Sequence, residues 1–121
     1  MLGAAAALPR LRPEAQLPGE LLRLGRLPEA VAGYRVLHLN ESQITYMAYE
    51  LLNRRPANLA AAESLLKLAQ EQFPQSAMIF ARLGDLYQKQ SDQTRARSAY
   101  QESLRLDPNN RELREILAAG K

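Results

Sequence analysis

Any chemistry in this chain would have to be assembled from few parts. His38 is its one histidine and it has no cysteine, which excludes thiolate nucleophiles, disulfides and thiolate metal sites. One imidazole cannot make a zinc pair. Of the serines, at 42, 64, 76, 91, 98 and 103, none stands in a Gly-x-Ser-x-Gly elbow. A serine–histidine–aspartate set built on His38 would draw on three unrelated segments, with no loop to hold an oxyanion. Glu112 and Glu115 are spaced to share one helix face and read as solvation, and Gly25 and Gly33 stand apart from any phosphate loop. Arg54 and Arg55, with Arg23, Arg26 and Arg35, could form a basic strip. It lacks the interleaved aromatics that single-stranded nucleic acid would stack on, and reads as a solvated edge or a contact for an acidic peptide. The expectation is a protein that is not an enzyme and takes no cofactor, metal or nucleic acid.

The elements that would carry these residues are helical. Leu and Ala dominate the 121 residues, aromatics make up 6% and β-branched residues are scarce, a balance that loses little on entering a helix. The length suffices for one domain burying roughly two-thirds of its unfolded surface. A net charge of +3 comes from arginines interleaved with acids. The apolar opening Met1 to Pro9 has no basic stretch before it and is short for a secretion signal. No apolar run reaches the ~20 residues that span a bilayer. A cytoplasmic location is the default expectation, without membrane attachment.

Self-similarity organises the rest. At an offset of 34 residues, Ala62 meets Ala96, Leu66 meets Tyr100, Ala69 meets Ser103, Pro74 meets Pro108 and Ser76 meets Asn110. Segment 77–110 resembles a tetratricopeptide repeat, a helix–turn–helix of that period. Phe80, Leu83, Gly84 and Tyr87 stand at the family's positions on the first helix, and Ala96, Tyr100, Ser103 and Pro108 at those of the second. Small Gly84 and Ala96 let the two helices approach. Phe80, Leu83 and Tyr87 make an i, i+3, i+7 stripe, and Pro108 ends the unit. Segment 41–76 is a degenerate copy. At the same offset Glu50 would fall on Gly84, burying a carboxylate at a helix contact. A two-residue slip puts Ile44, Met47, Ala48 and Leu51 in the pattern instead, which requires the turn 53–58 to be two residues longer. Upstream, 19–40 resembles half a unit, with Ala30 and Tyr34 in the places of Ala96 and Tyr100. Pro9, Pro13 and Pro18 mark 1–18 as a flexible tail.

The sequence thus predicts an all-α helix–turn–helix solenoid of about two and a half tetratricopeptide repeats with a C-terminal capping helix. Helices are expected near 20–24, 28–39, 41–53, 58–72, 77–90, 93–106 and 110–119. Asn40 with Gln43, and Asn109 with Glu112, have capping-box spacing, and Asp92 is a cap. In the last helix Arg111, Glu112, Arg114 and Glu115 face out while Leu113, Ile116 and Leu117 face in.

The resemblance also implies a groove lined by the first helices of the units. Its residues are Ser42, Thr45, Tyr49, Leu52 and Asn53 from one unit and Met78, Ala81, Asp85, Gln88 and Lys89 from the next, with Arg82 beside them. Some family members clamp a peptide's terminal carboxylate there with lysine, arginine and asparagines. Here Arg82 matches the arginine, but Met78 replaces the lysine, and Tyr49 and Asp85 replace asparagines. The resemblance therefore implies a protein or peptide partner and argues against that clamp. Self-association stays open. Residues 41–110 are also similar, less closely, to helical tails that follow some bacterial β-lactamase-like serine hydrolases and esterases. That would make the chain a detached structural appendage without activity.

Overall fold

The computed structural model describes residues 17–120, and among them it contains seven helices and no strand. The sequence's all-α expectation holds. The helices are α1 (Pro18–Arg23), α2 (Leu27–Leu37), α3 (Glu41–Asn53), α4 (Leu59–Gln72), α5 (Ala77–Lys89), α6 (Gln93–Leu106) and α7 (Arg111–Ala118). Most of the tail expected for 1–18 lies outside the described residues. The chain divides into two compact units, one ending at His38 and the other beginning at Leu39.

The first unit is the hairpin α1–α2. Pro18 belongs to the helix it was expected to exclude, because a proline in the first turn gives up an N–H that has no intrahelical partner anyway. Gly25, at φ 79°, closes α1. Arg26 N–H donates to Leu21 O at 2.9 Å and Gly25 N–H to Leu22 O at 3.0 Å, the paired bonds of a Schellman ending. Ala30 and Tyr34 are buried. α2 stops at Leu37, two residues earlier than expected, because His38 turns into the left-handed region at φ 56°.

The second unit is built from two helical hairpins and a last helix. Each helix packs on the next in the chain, and α3 also packs on α5. Asn40 caps α3 with both halves of the capping box, accepting from Gln43 N–H at 2.8 Å while Gln43 Oε1 accepts from Asn40 N–H at 2.9 Å. Asn58, Ser76, Asp92 and Asn110 cap the following helices, each through its side-chain oxygen. For α7 the sequence offers two caps, Asn109 by its capping-box spacing and Asn110 by its match to Ser76. In the structure Asn110 accepts from Leu113 N–H at 3.0 Å, and the spacing to Glu112 at Asn109 goes unused because the helix begins one residue later.

The slipped register of α3 is present. Ile44 and Ala48 are buried, Leu51 is buried, Met47 is half-buried and Glu50 is exposed. The extra turn length is there too: 54–58 joins α3 to α4, five residues, where 90–92 joins α5 to α6, three. On α5 the fully buried apolar positions are Ile79, Leu83 and Leu86, whereas Phe80 and Tyr87 are half-buried. The stripe is thus broader than the i, i+3, i+7 reading, since α5 packs on α3, α4 and α6 at once.

Gly84 and Tyr100 fix how α5 meets α6. A Cβ at Gly84 would lie 2.4 Å from Tyr100 Cε1, so the missing side chain makes room for the ring and not only for the helix backbone. Ser103 Oγ donates to Ala77 O at 2.7 Å, tying the end of α6 to the start of α5. α7 buries Leu113 against Ala96 and Tyr100, with Ile116 and Leu117 partly covered beside it. Arg111, Glu112, Arg114 and Glu115 are exposed, so the side of α7 away from Leu113 is polar.

Candidate functional site

Contact between α3 and α5 sets the two first helices of the hairpins side by side, and one face of each is left uncovered. Helical periodicity then decides which side chains share that face. α3 contributes Ser42, Thr45, Tyr49, Leu52 and Asn53, and α5 contributes Met78, Ala81, Arg82, Asp85, Gln88 and Lys89. All eleven line three adjoining depressions. The first is bounded by Ser42, Thr45, Tyr46, Tyr49, Met78 and Arg82. The second holds Leu52, Asn53, Gln88 and Lys89, with Tyr49 at its border to the first. The third, about 320 Å³, lies toward α7 and adds Asp107, Asn110, Glu112, Leu113 and Ile116 to the α5 side chains Met78, Ala81, Arg82 and Asp85.

Not all of these groups are available to a ligand. Thr45 and Leu52 are buried and form floor. Thr45 Oγ1 donates to Glu41 O at 2.8 Å and lies 3.0 Å from Met78 Sδ. Tyr46, Tyr49 and Met78, which line the first depression, are 60%, 47% and 43% exposed.

A polar chain crosses the face. Arg82 stacks on the Tyr49 ring, 5.3 Å from its centre, and Arg82 Nη1 donates to Asp85 Oδ2 at 2.8 Å. Asp85 Oδ1 accepts from the Tyr100 hydroxyl at 2.6 Å. Burial pushes the Tyr100 hydroxyl well above the ordinary tyrosine range, and the bond to Asp85 pushes it further the same way. The order along the chain is therefore Tyr49, Arg82, Asp85, Tyr100, which links α3, α5 and α6.

Helical spacing alone suggests a pair between Asp85 and Lys89, one turn apart. The structure gives Asp85 to Arg82 and Tyr100 instead, because a buried hydroxyl needs a partner and Tyr100 reaches the carboxylate from α6. Lys89 is exposed. The charge of Arg82 is thus matched by Asp85 within the same helix. Tyr46, Asp107 and Glu112 border the face and were not among the expected site residues. Tyr46 is one position from Thr45, Asp107 is the residue that ends α6, and Glu112 lies in the first turn of α7. Arg97 and Arg105 of α6 line none of the three depressions. Among the described residues, Thr45 Oγ1 donates to the Glu41 backbone carbonyl, Ser76 Oγ to the Glu41 carboxylate and Ser103 Oγ to the Ala77 carbonyl.

Residues 77–110, which are α5, α6 and the turn to Asn110, match the family model of the tetratricopeptide repeat. No curated protein and no solved structure matched the chain. Among the described residues no helix is long and apolar enough to cross a membrane.

Proposed function

Since residues 77–110 are a tetratricopeptide repeat, a fold whose members generally bind proteins and do no chemistry, we propose that this chain is a protein- or peptide-binding module and not an enzyme. The face of α3 and α5 receives an extended segment of the partner. The observation that carries this reading is the exposed trio Tyr46, Tyr49 and Met78, set in a depression that continues past Arg82 into two more. Aromatic anchors in concave surfaces supply most of the energy at protein interfaces. The alternative of a detached hydrolase appendage rests on sequence resemblance alone.

Capture from a cell extract, read by mass spectrometry, tests the proposal. The baits are the native chain, a Tyr49→Ala/Met78→Ser variant of the face, and an Arg97→Glu/Arg105→Glu variant of the outer helix. The face variant should lose the captured protein while the outer variant keeps it. Loss with the outer variant alone would place binding elsewhere. Swapping Asp85 and Lys89, which looks neutral from helical spacing, is unsuitable here because it would strip the Tyr100 hydroxyl and Arg82 of their partner.

A further inference from the structure

The charges on this face are unevenly compensated, and that selects among partners. Arg82 and Asp85 neutralise each other. What remains in the depression toward α7 is Asp107 and Glu112, both exposed. Neither carboxylate is in an ion pair among the described residues, and Arg82 is the only cation lining this depression. The Asp107 carboxylate accepts from Asn109 N–H at 3.3 Å. This acidic end runs without interruption into the apolar one, since Met78 and Arg82 line both depressions.

Resting on the binding reading above, we propose that the face takes an extended peptide segment carrying a bulky apolar or aromatic side chain and, a few residues away, a lysine or arginine. The apolar side chain packs among Tyr46, Tyr49 and Met78. The basic one reaches Asp107 and Glu112, where it meets two carboxylates with no cation to displace. A segment with an acidic residue at that place would set a third carboxylate beside them, and like charges brought together at an interface cost affinity. The preference is thus opposite in sign to a carboxylate clamp.

The probes are fluorescein-labelled Gly-Ser peptides bearing phenylalanine and lysine at separations of about two to six residues, a range that brackets the reach of an extended chain across the face. Matched peptides replace lysine by glutamate, or phenylalanine by serine. Anisotropy should show the phenylalanine–lysine series binding about tenfold tighter than the glutamate series, a difference of about 1.4 kcal/mol. Asp107→Lys with Glu112→Lys should reverse that order, and Tyr49→Ala should weaken every peptide. Tighter binding of the glutamate series by the native chain, or an order unchanged by the two lysines, overturns the proposed ligand chemistry. If binding is still lost with Tyr49→Ala in that case, the face itself stands. Absence of binding throughout, or binding indifferent to Tyr49→Ala, overturns both.

Discussion

At the scale of single residues, Gly84 and Tyr100 carry the most consequence. Replacing Gly84 by alanine has two opposed effects. Removing a glycine from a helix interior is worth about 1 kcal/mol, whereas the new Cβ would sit 2.4 Å from the Tyr100 ring, and overpacking a core typically costs about 1–3 kcal/mol. The ring has little freedom to retreat, because its hydroxyl is held by Asp85 and its other side is covered by Leu113. Gly84→Ala should therefore lower the urea midpoint, with Gly84→Leu lowering it more. A rise would mean that the ring yields. Tyr100 also gives a pH dependence. Its folded value lies above the ordinary tyrosine range, so the unfolded chain releases this proton first as pH rises. Its contribution is present below about pH 10 and is lost above it. Stability should fall more steeply above that pH in the native chain than in Tyr100→Phe, measured by urea unfolding across the alkaline range. Equal slopes would contradict a hydroxyl that is buried and, further, bonded to Asp85. The repeat pattern places both residues but says nothing of what the Tyr100 hydroxyl meets. A hydroxyl's partner on another helix leaves no trace in spacing, so Asp85 was misread as a companion for Lys89.

At the scale of elements, α5 ends as α1 does, by a Schellman pair, Asp92 N–H to Tyr87 O at 2.8 Å and Ser91 N–H to Gln88 O at 3.0 Å. In α1 the left-handed position is Gly25, but in α5 it is Ser91, at φ 62°. A non-glycine residue there costs about 1–2 kcal/mol, and glycine's greater unfolded freedom takes back about 0.5–1 kcal/mol. Ser91→Gly should stabilise the second unit by up to about 1 kcal/mol, seen as a raised melting temperature with unchanged denaturant slope. A loss would show that the serine side chain is needed. Element boundaries were legible wherever a capping residue and a change of period coincided, as at Asn40, Ser76 and Asp92, whereas the cap at Asn58 was placed inside its helix. The register slip in α3 was legible for another reason: a misplaced Glu50 would have been buried, and the cost of that outweighs the convenience of a strict repeat. The ends of α1, α2 and α7 were read less well. Pro18 serves equally as breaker and as first-turn residue, and Asn109 and Asn110 offer the same cap one residue apart.

At the scale of the whole molecule, two hairpins and a last helix leave one face of α3 and α5 open, and the residues expected from the repeat resemblance lie together on it. What the sequence did not disclose is the part of that face made by α7. Asp107, at the end of α6, and Glu112, in the first turn of α7, line one depression with Asp85, a grouping that only tertiary packing makes. The most direct test of the face as the binding surface is photo-crosslinking. p-Benzoylphenylalanine is placed singly at Tyr49, Met78, Gln101 or Arg105, all exposed positions, and the captured partner is irradiated in complex with each. The expected result is a covalent adduct from positions 49 and 78 and none from 101 and 105. Adducts from 101 and 105, with none from 49 and 78, would contradict the assignment and move the binding surface to α6.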